Sequence, residues 1–258
     1  MGKLCNRTKK IIDCWKQEAE RSLEGWDFSY LDDSTRWEME SLPWDYLKIV
    51  RQHLKEEDRL LDMGTGGGEV LLTFEHPYNQ TSVTEGYLPN YHLCKKKLEP
   101  LGITVKFVEE DDVLPFSENS FDIILNRHEA FRLDEVHRVL KSGGIFITQQ
   151  VGCENSRTLS KRLLKKELEV DVRNQLTYQL EQARKIGFEI LNSDEFYAQL
   201  KFFDAGAIAY YASIIEWEFP GFSVDRCLEG LTELHQEIEE EGFVSSVEHR
   251  YMMVLGKS

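Results

Sequence analysis

The residues whose spacing carries most chemistry stand together at 60–69, Leu-Leu-Asp-Met-Gly-Thr-Gly-Gly-Gly-Glu. An apolar run enters a loop with glycines at alternate positions, Gly64, Gly66 and Gly68, and a helix is expected to follow. Missing Cβ atoms let such a loop turn tightly and let its backbone approach a ligand. A dinucleotide fingerprint would need Gly or Ala five residues after Gly64, where this chain has Glu69. A carboxylate in that first helical turn also opposes a pyrophosphate held at the same terminus. No Gly-Lys-Ser/Thr follows, so a Walker loop fails too. The loop therefore suits a nucleoside ligand without phosphates. Glu85, 21 residues after Gly64, ends the next strand, where an acid can accept hydrogen bonds from ribose hydroxyls.

Further along, Asn126-Arg127-His128-Glu129 follows an apolar run, Phe121–Leu125, and Gln149, Gln150 and Cys153 follow another. In an open parallel sheet both groups lie at the carboxyl edge where ligands bind. His128 is a candidate base there, with a capping or structural histidine as the alternative.

These residues need strands and helices in alternation to bring them to one edge, and the pattern from residue 59 supplies it. RLLDM, TSVTE, ITVKFVEE, FDIILN, IFITQQV and FEIL read as strands, with helices at NYHLCKKKLEPLG, EVHRVLKSGG and LTYQLEQARKIG. This order predicts βαβ units and a parallel sheet covered on both faces. Before it, residues 8–24 read as an amphipathic helix closed by Gly25, a short helix is expected from Ser34, and another begins at Ser41 and Pro43. Trp15, Trp26, Trp37 and Trp44 crowd this first stretch. Core packing accounts for them; a lid presenting aromatic faces is the functional alternative. Two connections are long: 153–172, with Arg157, Lys161, Arg162, Lys165 and Lys166, and 193–246, with an apolar helix near Ala205–Trp217 and an amphipathic one from Val224. The basic cluster reads as a solvated face, with a phosphate site as the alternative.

The 258 residues carry 31 Lys and Arg against 46 Asp and Glu, a net charge of −15, which disfavours nucleic acid as a partner. Five scattered cysteines without a Cys-x-x-Cys pair argue against zinc or a disulfide framework, and no metal site is expected. The first ten residues lack the apolar run of a secretory signal, and no stretch is long enough to span a bilayer, so a cytoplasmic chain without membrane contact is expected.

Asp62-x-Gly64-x-Gly66-x-Gly68 resembles the signature of class I S-adenosylmethionine-dependent methyltransferases of the methyltransferase type 11 kind. The resemblance continues through Glu85, Asp111-Asp112-Val113-Leu114-Pro115-Phe116, Asn119-Ser120-Phe121-Asp122-Ile123-Ile124 and Glu135–Gly144, in family order over about residues 45–152. It implies a Rossmann-like, mostly parallel sheet of seven strands with helices on both faces, the last strand antiparallel. It implies an N-terminal helical cap over 1–44 and a methyltransferase domain over 45–258, with helical lid insertions at 153–172 and 193–246. The implied cofactor is S-adenosyl-L-methionine, whose sulfonium an acidic lining suits. Asp62, Gly64, Thr65, Gly66 and Gly68 would meet its methionine part and Glu85, with Gly86, its ribose. Glu110 or Asp111, with Asp112, would reach adenine, and Asn126 and Arg127 complete the set. The Asn/Asp-Pro-Pro-Tyr/Phe motif of many amino-group methyltransferases is absent after strand four, which weakens adenine-N6 or glutamine-N5 transfer. The expected reaction is methyl transfer to a small-molecule acceptor, with an RNA or protein methyltransferase or a non-catalytic binding protein as alternatives. Positioning alone supplies about 7–11 kcal/mol in such reactions, so the lack of an unmistakable base does not exclude an enzyme.

Overall fold

Short apolar runs bounded by turn residues become strands here, and the computed structural model describes residues 6–21, 29–32, 34–109 and 113–258. Eight strands form among them: β1 (Trp37–Met39), β2 (Leu60–Met63), β3 (Thr81–Glu85), β4 (Thr104–Phe107), β5 (Phe121–Arg127), β6 (Leu140–Val151), β7 (Phe188–Phe202) and β8 (Val244–Lys257). Their order is β1-β7-β8-β6-β5-β2-β3-β4. The chain divides into two compact units, Met1–Ser41 with Glu154–Val170 and Tyr197–His249, and Leu42–Cys153 with Asp171–Phe196 and Arg250–Ser258.

In the second unit β2 pairs in parallel with β3 and β5, β3 with β4, and β5 with β6, while β8 runs antiparallel to β6. Chain order reverses between β2 and β5, which makes their carboxyl ends the switch point where an open sheet binds ligands. Alternation along the strands gives each face its own core. Ile123, Leu125, Ile147, Met252 and Val254 pack with Tyr46 and Val50, while Ile124, Phe146, Met253 and Leu255 pack with Val136, Val139 and Ala183. Helices Tyr46–His53 and Leu88–Leu98 belong to the first of these faces, Leu133–Val139 and Leu176–Ile186 to the second.

The first unit is built on helix Ala205–Ile214, whose Ala205–Ala212 run is wholly buried, with helices Asn6–Ala19, Arg157–Leu164 and Leu228–Glu241 contributing to the same core. Trp15 is buried in it. Arg36 grips both oxygens of Asp204 at 2.7 Å and reaches Glu18 and the Tyr30 hydroxyl.

Three expectations need correction. The sheet has eight strands, not seven. The added one, β1, lies where a short helix was expected from Ser34; the chain is extended because Trp37–Met39 pairs antiparallel with Leu200–Phe202, beside the Arg36 anchor. The strand begun at FEIL runs to Phe202, with Ala198, Leu200 and Phe202 buried and Tyr197 and Gln199 exposed, a period-two pattern inside the stretch assigned to the 193–246 insertion. Gly25 and Trp26 lie outside the described residues.

Candidate functional site

β2 delivers the chain into the glycine loop, where Gly64, Gly66 and Gly68 take φ of 65°, 61° and 77°, the left-handed region that glycine enters freely. Backbone N–H groups of Gly64 and Thr65 donate to the Thr84 carbonyl at 3.0 and 3.2 Å, tying the loop to β3. Helix Leu88–Leu98 fastens it from outside: Cys94 Sγ donates to the Gly66 carbonyl at 2.8 Å, and Lys97 Nζ to that of Gly67 at 3.0 Å. Lys97 also pairs with Glu69 at 2.6 Å. The Glu69 charge, which in the sequence alone opposes a pyrophosphate, is thus partly neutralised by Lys97.

Glu85, at the end of β3, is buried, and its two carboxylate oxygens accept from Gly66 N–H at 2.8 Å and Tyr87 N–H at 2.9 Å. Burial raises its pKa, and these N–H bonds oppose the rise. Asp62 keeps part of its surface open, yet its carboxyl is surrounded by protein, and burial pushes its pKa up to about 6. Thr65 stands beside it and favours the charged form, although Thr65 Oγ1 makes no hydrogen bond of normal geometry.

At the end of β5, Asn126 is fully buried; its Oδ1 accepts from Thr148 Oγ1 and Gln150 Nε2, while its Nδ2 has no partner. A buried donor without an acceptor is uncommon and marks a place for a ligand atom or water. Above Gly66, an added Cβ would meet nothing within 4 Å, so the loop's outer surface is open. Open glycine backbone, orphaned Asn126 Nδ2 and the acids Asp62 and Glu85 together fit a cationic amino-acid nucleoside such as S-adenosylmethionine.

The neighbouring edge carries Arg127, His128 and Glu129. His128 has φ 62°, a conformation that costs a non-glycine residue about 1–2 kcal/mol. The turn brings Glu129 back against the loop: a Cβ on Gly64 would lie 2.4 Å from both Cβ and Cγ of Glu129. His128 is open to solvent but sits among enough protein that desolvation, then Arg250 and Arg127, lower its pKa well below the ordinary value. Its Nε2 lies 3.1 Å from Gln149 Nε2, and Gln149 Oε1 accepts from Trp44 Nε1 at 2.8 Å. Between the loop and this edge is a small recess, about 20 Å³ in volume and open to solvent, lined among others by Met63, Gly64, Gly86, Leu114, Glu129 and Phe131.

The residues expected from sequence therefore gather at the ends of β2, β3 and β5: Asp62, Gly64, Thr65, Gly66, Gly68, Glu85, Gly86, Asn126, Arg127 and His128. Glu110, Asp111 and Asp112 lie outside the described residues. The sequence names Glu129 only within the 126–129 edge segment and Trp44 only among the tryptophans of the first stretch, and gives neither a role of its own. Glu129 is placed by the left-handed turn at His128, and Trp44 by its position just before helix Tyr46–His53. Among the described residues no group of His, Cys, Asp and Glu side chains is arranged to hold a metal ion, and no helix is long and apolar enough to cross a membrane.

Residues 61–148 match the family model described as "Methyltransferase domain". Among solved structures the chain is similar to the YcgJ protein of Bacillus subtilis at 17% identity and a TM-score of 0.55, covering 83% of this chain and 98% of that one. It is similar to a functionally unknown protein of Deinococcus radiodurans R1 at 12% identity and 0.54, covering 90% and 100%. An S-adenosylmethionine-dependent methyltransferase of Mesorhizobium loti matches at 14% and 0.50, covering 81% and 95%. At these identities the structures speak for the fold. No curated protein matches the chain. The loop geometry, the strand order and the family match agree over the same segment: residues 61–148 form a class I S-adenosylmethionine-dependent methyltransferase domain, and S-adenosylmethionine is its cofactor.

Proposed function

We propose that this methyltransferase acts on a small-molecule acceptor, held at the β5 edge beside His128. When bound, S-adenosylmethionine supplies an already activated methyl. On this reading Asp62 and the loop from Gly64 to Gly68 hold its amino-acid part, Glu85 and Gly86 its ribose, and Asn126 and Arg127 close the set. Glu110 or Asp111, with Asp112, would take adenine. The chain's task at the acceptor is to bind, orient and exclude water, because positioning is the larger contribution in such transfers. The observation that supports this reading is the convergence of Asp62, Glu85, the unpartnered Asn126 amide and His128 at the carboxyl ends of β2, β3 and β5, the edge where an open sheet binds small ligands.

An RNA acceptor is disfavoured by the pairing of the basic cluster. Arg157 lies against Glu154 and Glu167, Lys161 against Glu167, Arg162 against Glu237 and Lys165 against Glu233. Carboxylates thus already engage cations that phosphates would need. A cytoplasmic setting fits free thiols such as Cys14, Cys94 and Cys227. The test is a transfer assay with methyl-labelled S-adenosylmethionine and a cell extract separated into metabolite, RNA and protein fractions. Label in the metabolite fraction is expected; label confined to RNA or protein refutes the proposal.

A further inference from the structure

His128 would ordinarily be taken as the proton-abstracting base of the site, but its surroundings fix its ring differently. The hydrogen-bond series that fixes it begins at Trp44. An indole Nε1–H can only donate, so the atom of Gln149 that it meets at 2.8 Å is the amide oxygen. With that oxygen fixed, the other amide atom is Nε2, which can only donate, and it lies 3.1 Å from His128 Nε2. His128 Nε2 must therefore accept, and in a neutral imidazole the proton then sits on Nδ1.

The register explains why these groups meet. Arg127 stands opposite Gln149 across β5 and β6, and Gln149 opposite Met252 across β6 and β8. Residues directly opposite share a face, so Arg127 and Gln149 project together. Strand alternation would send His128 to the other face. Its left-handed φ of 62° breaks that alternation, and its ring reaches Gln149, while its backbone N–H still donates to the Gln149 carbonyl at 2.9 Å. Among the described residues nothing accepts from Nδ1, and the ring is open to solvent.

We infer that His128 is a fixed hydrogen-bond donor, presenting Nδ1–H to an oxygen of the methyl acceptor, with Gln149 and Trp44 as the positioning residues that set its tautomer. This deepens the small-molecule reading and rests on it for the acceptor. Protonation at Nε2 would set two donors against each other. Arg127 and Arg250, the charged groups that lower the His128 pKa, oppose the cation as well. A base at this ring is thereby removed. The acceptor's nucleophilic atom must arrive with a free electron pair, or release its proton to water, and the acceptor must carry a hydrogen-bond-accepting oxygen for His128 to hold.

The test that needs no acceptor is nitrogen NMR of the full chain, imidazole-labelled and saturated with S-adenosylhomocysteine, with His128 assigned by its loss in His128→Asn. At pH 7 the expected signal is a neutral ring protonated on Nδ1. Gln149→Leu should abolish that preference, and Trp44→Phe should weaken it by freeing the amide to flip. A ring protonated on Nε2, an imidazolium, or a tautomer unchanged in Gln149→Leu overturns the inference. Once an acceptor is in hand, Asn places an amide donor near the Nδ1 position without any basic atom. His128→Asn should then recover at least about tenfold of the turnover lost in His128→Ala, whereas equal losses of about 10²–10⁴-fold in both would mark a base. Transfer to RNA or protein instead of a metabolite would fail the small-molecule reading while leaving the tautomer result standing. The wrong tautomer with a small acceptor would fail this inference alone.

Discussion

Lowering the pH from 7 to 5 should weaken cofactor binding about tenfold, through Asp62. Burial raises this carboxyl from the ordinary value of 3.8 to about 6, with Arg127 pulling it down and Glu85 pushing it up. A raised pKa in the folded state means that folding favours the neutral acid. The stability it contributes is complete below about pH 4 and disappears as pH rises through about 6, so near neutrality the free enzyme holds a poorly solvated anion. The α-ammonium group of the cofactor's amino-acid part, which S-adenosylhomocysteine keeps, relieves that. If binding returns Asp62 to about 4, the free protein is about ten-elevenths protonated here at pH 5 and the complex about one-eleventh. Binding then releases about 0.8 of a proton at pH 5 and roughly none above pH 7, with affinity falling by about tenfold between the two. The measurement is calorimetry with S-adenosylhomocysteine at pH 5, 6 and 7, in buffers of different ionisation enthalpy. Asp62→Asn should bind more weakly at pH 7 and flatten the profile; Arg127→Ala should move its midpoint upward. Glu85, also raised by burial, is the competing source, and a slope that survives in Asp62→Asn would assign the proton to it. Binding that is independent of pH, or that takes up protons, would refute the reasoning.

Two further outcomes follow from the loop. Gly64→Ala and Gly66→Ala both force a left-handed alanine, but only the first drives a Cβ into Glu129, so Gly64→Ala should melt at least about 4 °C lower than Gly66→Ala in thermal denaturation; equal melting would mean that Glu129 moves aside freely. Cys94, fully buried with its pKa pushed up to about 12, should resist iodoacetamide in the native protein while exposed Cys14 reacts, as peptide mass spectrometry would show.

What could be read from the sequence was whatever local chemistry decides. Gly64, Gly66 and Gly68 can hold left-handed backbone wherever they are placed, and the switch from apolar runs to helical spacing marks β2 to β6 without tertiary information. β1 was illegible because three residues carry no period; its extension depends on pairing with Leu200–Phe202 and on an Arg36–Asp204 contact 168 residues apart. The outer half of β7 is legible in principle, since Ala198, Leu200 and Phe202 are buried between more exposed neighbours, but the period covers only a few residues within a long stretch between elements.

His128 belongs to a third kind. Its residue type suggested a base, and its place after β5 suggested the reacting edge, yet its protonation is set by two residues that no spacing rule joins to it. Trp44 lies 105 positions from Gln149, and Gln149 lies 21 from His128. The controlling fact is a left-handed φ at a residue that gains nothing from it locally. Strain of that kind persists only where the surroundings hold it. Here they hold Glu129 against Gly64 on one side of the turn and the imidazole against Gln149 on the other. The same backbone distortion thus shapes the cofactor loop and the acceptor edge together. Substitutions at 128 should therefore be judged on cofactor affinity as well as on turnover. A variant that relaxes the turn would release Glu129 and perturb binding, whereas one that keeps the turn and changes only the ring would alter turnover alone.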